Sequence, residues 1–325
     1  MKLLLLWVPL VLVPLVIHNN VVLTILIFTY LLGILAVSFN LIFGFTGQLS
    51  LFHAAAFGLS AYATYLAMAH WGVPFWLGMV VGVVFVSLVS LVIGTICFRF
   101  NLRELYFAIV TLAFSELFRL VILNWNSFTN GSLGINFTLT PTLWIPGRGV
   151  VPVQGTMMWY YLSLVAVVLA VGFYSRIVHS WMGRCFASIR LNDDLADTLG
   201  INVFRYKLIA FVAANAGAAV AGSLYSFYIS YIDPHYFSID QSLAIIAMAL
   251  LGGSRYVAAP IVGALVLTAL PHVINVNAEA RLLIYGLILI LTILVMPRGI
   301  VGVLVTGLRR PSRAPQTPER PRHAA

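Results

Sequence analysis

Long apolar runs alternate with short polar intervals along most of this chain. The runs fall at roughly 3–18, 21–39, 50–70, 73–97, 104–123, 157–176, 204–228, 241–255, 257–273 and 281–297, and a helix needs about 20 mostly apolar residues to cross the hydrocarbon core. They are continuous, as in VVLTILIFTYLLGILAVSF at 21–39 and LLIYGLILILTILVM at 282–296. A membrane β-barrel would instead show short segments of alternating polarity. The pattern predicts an all-α polytopic transmembrane bundle with about ten spans, over 1–307. The tail 308–325 (LRRPSRAPQTPERPRHAA begins at 308) is rich in Pro and Arg, has no apolar face, and is expected to be disordered.

Three interruptions do not fit a simple bundle. NLIFGFTGQLS at 40–50 and GGSRYVAAP at 252–260 are too polar and Gly-rich to face lipid. Irregular backbone at membrane depth is tolerated only inside protein or beside a water-filled cavity. One such segment in each half points to a translocation path, although no sequence repeat relates the halves. The third is 177–207, IVHSWMGRCFASIRLNDDLADTLGINVFRYK, which concentrates charge in a chain with only 8% charged residues. Within it Asn192 is an N-cap candidate, Asp193 and Asp194 sit in a first turn, and Gly200 is a stop. These signals predict a short amphipathic helix at about 192–200, of the kind that docks into a partner's groove.

Composition agrees with the membrane reading: 62% of residues are hydrophobic and the mean hydropathy is +1.02, whereas soluble domains are about 45–50% apolar. The net charge of +9 does not indicate nucleic acid, because the basic residues sit between spans and in the tail. Apart from Arg119, Arg148 and Arg281, the 18 basic residues lie at Lys2, around 98–104 and 177–203, beside the turn at 255, and after 297. The positive-inside rule then makes both termini and the 177–203 loop cytoplasmic. The tail arginines are placed to touch anionic lipid heads. Lys2 and the apolar run after it resemble a short signal peptide. The residues that follow, His18, Asn19 and Asn20, supply no small-x-small cleavage site, so a retained first helix is expected. Cys97 and Cys185 fall on the cytoplasmic side of this topology, where thiols stay reduced, and no metal-ligand spacing is present.

Few side chains offer chemistry. Glu116 and Arg119 stand three apart, on one face of the 104–123 helix. They read either as a polar contact in a transport path or as a structural pair, the latter favoured. His53 has no intramembrane acid to relay a proton to, so a packing or hydrogen-bonding role is expected. His18, His70, His179, His235 and His272 read as interfacial. No nucleophile–base or paired-carboxylate constellation and no GxxxxGK[ST] motif occurs. Ala54, Gly58, Ala61, Ala213, Gly217, Ala221 and Gly263 are placed to let helices approach closely.

Four stretches in register resemble the branched-chain amino acid (LivM-like) permeases of ABC transporters, a family that includes urea and amide permeases. They are SFNLIFGFTGQLSLFHAAAFGLSAY at 38–62, LYFAIVTLAFSELFRL at 105–120 with TNGSLGI at 129–135, IRLNDDLADTLGINVFRYKLIAF at 189–211, and LLGGSRYVAAPIVGA at 250–264 with MPRGIVG at 296–302. Phe52, Ser60, Arg255 and Ala259 stand where the family usually has Gly, and Leu195 where a small residue is common. The resemblance implies a non-catalytic permease subunit in the bacterial inner membrane. It would work with a homologous second permease, two cytoplasmic ATPase subunits that bind the ATP, and a periplasmic solute-binding protein. The chain itself would need no cofactor or metal. The resemblance assigns ATPase coupling to Arg190, Asn192, Asp193, Asp194, Ala196, Asp197 and Gly200. Asn40, Thr46, Gln48, Ser50, His53, Thr111 and Glu116 are the candidate pathway residues for a small-molecule substrate. An ion-coupled secondary carrier is the alternative. It would need intramembrane ion ligands, and only Glu116 and Arg119 offer charge in mid-span.

Overall fold

The computed structural model describes residues 19–100, 104–145, 149–274 and 299–308, with isolated positions at 11, 14, 286, 287, 290 and 294. The expected spans 3–18 and 281–297 and the tail beyond 308 lie outside the described residues. The described chain is helical: α1 (Asn20–Asn40), α2 (His53–Trp71), α3 (Phe75–Arg99), α4 (Glu104–Asn124), the single turn α5 (Asn126–Thr129), α6 (Thr156–His179), α7 (Trp181–Leu191), α8 (Asp193–Thr198), α9 (Val203–Ile229), α10 (Ile239–Gly252), α11 (Ala259–Ile274) and α12 (Gly299–Leu308). Among the described residues, five helices are long and apolar enough to cross a membrane: Asn20–Phe45, Phe75–Arg99, Leu105–Asn124, Thr156–His179 and Val203–Ile229.

Local chemistry sets the helix ends. Gly72 closes α2 in the left-handed conformation and Pro74 precedes α3, the pairing that stops one helix and allows the next to start. Helix α9 packs on α1, α2 and α3, while α6 and α11 pack on α1 and α10 pairs with α11. Lipid tails are as apolar as leucine, so close packing and interhelical hydrogen bonds hold such helices together. The small residues serve that purpose: a side chain at Gly222 of α9 would collide with the Phe57 carbonyl of α2. Ser60 Oγ meets both the Ala219 carbonyl and Ser223 Oγ at 2.6 Å, and Ser223 Oγ meets Thr64 Oγ1 at 2.8 Å. Ser60 therefore adds hydrogen bonds to the α2–α9 contact.

The two long connections carry structure of their own. The 123–156 interval holds the antiparallel hairpin β2 (Thr142–Ile145) and β3 (Gly149–Pro152), and β1 (Ile135–Asn136) pairs with β4 (Tyr231–Ile232). Trp76 Nε1 donates to the Thr142 carbonyl at 2.8 Å, fixing the hairpin over the start of α3. The 177–207 stretch contains two helices where one was expected. Ser180 caps α7 by accepting from the Met182 amide at 3.2 Å. Cys185, Phe186 and Ile189 bury one face of that helix at helical spacing. The Arg184 guanidinium lies 5.0 Å from the Trp181 ring centre, so the charges that mark the stretch as a loop in sequence ride on the outer side of a helix.

Candidate functional site

The site is the place where helix α1 stops being regular. After Asn40 the chain widens into a π-turn, Leu41–Phe45. Gly47 follows with φ +77, a left-handed conformation open to glycine at little cost, and extended chain then leads to α2 at His53. Backbone that leaves the helical ladder inside protein must find partners elsewhere. The Gln48 amide donates to the Ile42 carbonyl at 3.0 Å and the Gly47 amide to the Phe43 carbonyl at 3.2 Å. The Leu51 amide donates to Thr111 Oγ1 of α4 at 3.1 Å, and the Leu51 carbonyl accepts from Ser242 Oγ of α10 at 3.2 Å. Side chains from two other helices thus hold the extended segment.

The second interruption meets the first. Asn40 Nδ2 donates to the Tyr256 carbonyl in the turn between α10 and α11, at 3.2 Å. A β-carbon on Gly44 would lie 2.6 Å from the Ser254 carbonyl and would collide with Asn40 Oδ1. Gly44 is glycine because the two irregular segments touch there. From the other side, Arg190 at the end of α7 donates from Nη1 to the Gly44 carbonyl. Its Cγ would lie 3.2 Å from a β-carbon on Gly47. Two breaks distant in sequence and the middle of the charged stretch converge on one turn.

The continuation of α7 is rigidly built. Asn192 Oδ1 accepts from the Leu195 amide at 3.1 Å to cap α8. At the far end Gly200, φ +81, donates to the Asp197 carbonyl at 2.9 Å while Ile201 donates to the Ala196 carbonyl at 3.1 Å, the paired bonds of a Schellman motif. Asn202 then caps α9 through the Arg205 amide at 2.9 Å. Asp193 pairs with Lys207 of α9, whose side chain is 6% exposed. Ala196 is buried and packs against this chain. Leu191, Leu195 and Leu199, spaced by four, are 87%, 62% and 78% exposed, with Asp194 and Asp197 exposed beside them.

Of the predicted pathway residues, Asn40, Thr46, Gln48, Ser50, His53 and Thr111 are all buried around the break. Thr46 Oγ1 donates back to the Ile42 carbonyl, and Ser50 Oγ accepts from the Phe52 amide at 3.3 Å. His53 bridges α1 and α9, meeting Ser38 Oγ at 2.9 Å and Asn215 Oδ1 at 3.1 Å, as its expected hydrogen-bonding role requires. Asn40 Oδ1, Gln48 Oε1 and Asn215 Nδ2 are buried without a protein partner. Such groups cost about 1–3 kcal/mol each, and among the described residues Tyr62 Oη and Ser90 Oγ share this state away from the break. Glu116 does not join this group. It faces away from the break on the outer side of α4 and pairs with Arg119, 2.8 Å from Nε to Oε2. Sequence reading missed Ser38, Ser254, Tyr256 and Asn215. Only Asn215 leaves a signal, as an amide inside the small apolar run AANAGAAVAG.

Residues 21–295 match the family model described as "Branched-chain amino acid transport system / permease component". The chain is 26% identical over 286 residues to the high-affinity branched-chain amino acid transport system permease protein LivM of Escherichia coli, covering 82% of this chain and 67% of that one. It is 25% identical over 288 residues to LivH of the same organism, covering 83% and 91%. It is 23% identical over 244 residues to a probable LivM of Methanocaldococcus jannaschii, covering 69% and 68%. No solved structure matches.

Proposed function

The chain belongs to the branched-chain amino acid transport system permease family, and on that premise we propose that it is the membrane-spanning permease subunit of a binding-protein-dependent ABC importer. Its substrates are branched-chain amino acids, with urea and short amides as the related solutes to compare. The protein is a multi-pass membrane protein, and the inner membrane with cytoplasmic termini is the placement its charge distribution favours. A homologous second permease completes the path, a reading that similarity to both LivM and LivH supports. Two ATPase subunits bind and hydrolyse ATP, and a periplasmic binding protein delivers the solute. This subunit carries no catalytic role and no cofactor.

The observation that carries this reading is the convergence at Gly44. The exposed leucines of α7 and α8 offer an apolar stripe to an ATPase groove. Arg190, two residues before the α8 cap, grips the break in α1. The break in turn contacts the α10–α11 turn through Asn40. Closure of the ATPases moves α7 and α8, and that motion reaches both irregular segments through side-chain-to-backbone hydrogen bonds, without a flexible linker. Alternating access then follows as a rearrangement of segments already free of the helical ladder. Uptake into vesicles holding the assembled complex tests the function: it should require ATP hydrolysis and the loaded binding protein. Uptake that persists without ATP and collapses with an ionophore would identify an ion-coupled carrier.

A further inference from the structure

Helix α4 turns two unlike faces outward and inward. Phe107, Thr111, Ser115 and Ile122 are buried against the bundle. Leu105, Tyr106, Ile109, Leu117, Leu120 and Val121 are exposed. In the middle of that exposed face sits the Glu116–Arg119 pair, with side chains 42% and 32% exposed. The pair lies about 18 Å along the helix from Glu104 at 1.5 Å per residue, well inside a span. Charges at that depth in a span are expensive and mark substrate pathways or pairing sites. The pair is bidentate, with Arg119 Nε and Nη2 donating to the two carboxylate oxygens. It borders a shallow 600 Å³ recess lined by Ala113, Leu117, Leu120, Val121 and Asn124.

We propose that the Glu116–Arg119 pair is a transient binding site for a zwitterionic α-amino acid, on the outward face of α4 away from the break. The inference rests on the amino-acid reading of the function. A free α-amino acid carries an ammonium and a carboxylate on one carbon, the same two charges that Glu116 and Arg119 present to each other. Opening the pair lets Arg119 clamp the substrate carboxylate through two parallel donors, the geometry guanidinium favours. Glu116 accepts from the ammonium. Each protein charge exchanges one partner for another, so neither is left unpaired within the span. Leu117, Leu120 and Val121 lie beside the pair where an aliphatic side chain would rest, and Ala113 leaves room one turn away. When the substrate leaves, the pair closes on itself, which keeps the site from holding it.

The test uses the assembled complex with its ATPases and binding protein, and radiolabelled leucine. Glu116→Gln and Arg119→Gln should each lower leucine uptake at saturating loaded binding protein, and leucine binding to the detergent-purified complex, by about tenfold or more, the size expected for losing a hydrogen bond to a charged group. Assembly, read by gel filtration, should stay unchanged. Arg119→Lys, which keeps the charge and loses the fork, should fall between. Isoleucine should compete with leucine for the wild-type complex, while leucinamide, which lacks the carboxylate, should not. Wild-type leucine uptake and binding in both neutral variants would overturn the site and leave the transporter reading intact. So would loss of assembly in all three variants, which would make the pair a structural contact. A wild-type complex that moves urea but not leucine would overturn the substrate reading and the site with it.

Discussion

The Arg190 guanidinium donates a hydrogen bond to the Gly44 carbonyl across 146 residues of sequence. One end of the contact belongs to a helix whose outer face is exposed, the other to the turn where α1 loses its regular ladder. In most bundles a loop between helices can change without consequence for the core. Here the loop side chain satisfies a core carbonyl, so a displacement of α7 must either carry the break with it or leave that carbonyl without its donor.

Gly44→Ala tests whether the two breaks truly meet. A β-carbon there overlaps Asn40 Oδ1 and comes within 2.6 Å of the Ser254 backbone oxygen, and overpacking of this kind costs about 1–3 kcal/mol. The purified variant should melt several degrees lower in detergent, with transport lost. Gly172→Ala in α6, where a β-carbon meets nothing within 4 Å, should be neutral or slightly stabilising in the same thermal assay.

The Asp193–Lys207 pair fixes α8 against α9. Asp193→Asn leaves the nearly buried Lys207 ammonium without its counter-charge, and removing one partner of such a pair is worse than replacing the buried charge by an apolar chain. Because Asp193 is 43% exposed, the cost should be only about 1–2 kcal/mol. Thermal unfolding should rank Lys207→Met above Asp193→Asn. The reverse order would show that the pair does not seat α8.

The leucine stripe should decide partner association. Leu195→Asp or Leu199→Asp changes a side chain that is 62% or 78% exposed, so folding should be retained while ATPase subunits no longer co-purify. Ala196→Asp should fail differently, through loss of the fold, because that position is buried. Co-purification combined with gel filtration separates the two outcomes.

Ser60→Gly removes a hydrogen-bonding side chain from the α2–α9 contact. It removes contacts of 2.6 Å to the Ala219 carbonyl and Ser223 Oγ, and should lower stability by about 1 kcal/mol without altering transport. A thermal shift measured beside uptake checks both halves.

The sequence showed where regular structure ends, because Gly and polar residues inside apolar runs have few other uses. It placed both breaks, the cap at Asn192 and the stop at Gly200, since capping is local chemistry. Contact between distant segments left no such trace. Nothing in IRLNDD says that Arg190 reaches Gly44, and nothing in GGSRY says that Tyr256 receives Asn40. Charge was also misleading at short range. The polar positions of WMGRCFASIRL hid the buried stripe of α7, and Ala196 fits a docking motif while facing inward. Glu116 lies on α4 with Thr111, yet on the opposite side. Separating them requires knowing which face of α4 meets the bundle, and an apolar helix does not announce that in its sequence.

The central claim, that ATP energy enters through α8 and reaches the path through Arg190, is tested most directly by counting leucine transported per ATP hydrolysed in reconstituted vesicles. In Arg190→Ala the ATPases should still dock on the intact leucine stripe and hydrolyse ATP. Transport per ATP should fall by about tenfold or more, since a charge-assisted hydrogen bond of about 1.5–3 kcal/mol is lost, and Arg190→Lys should recover part of it. An Arg190→Ala complex that assembles normally and moves leucine at the wild-type ratio would contradict the account.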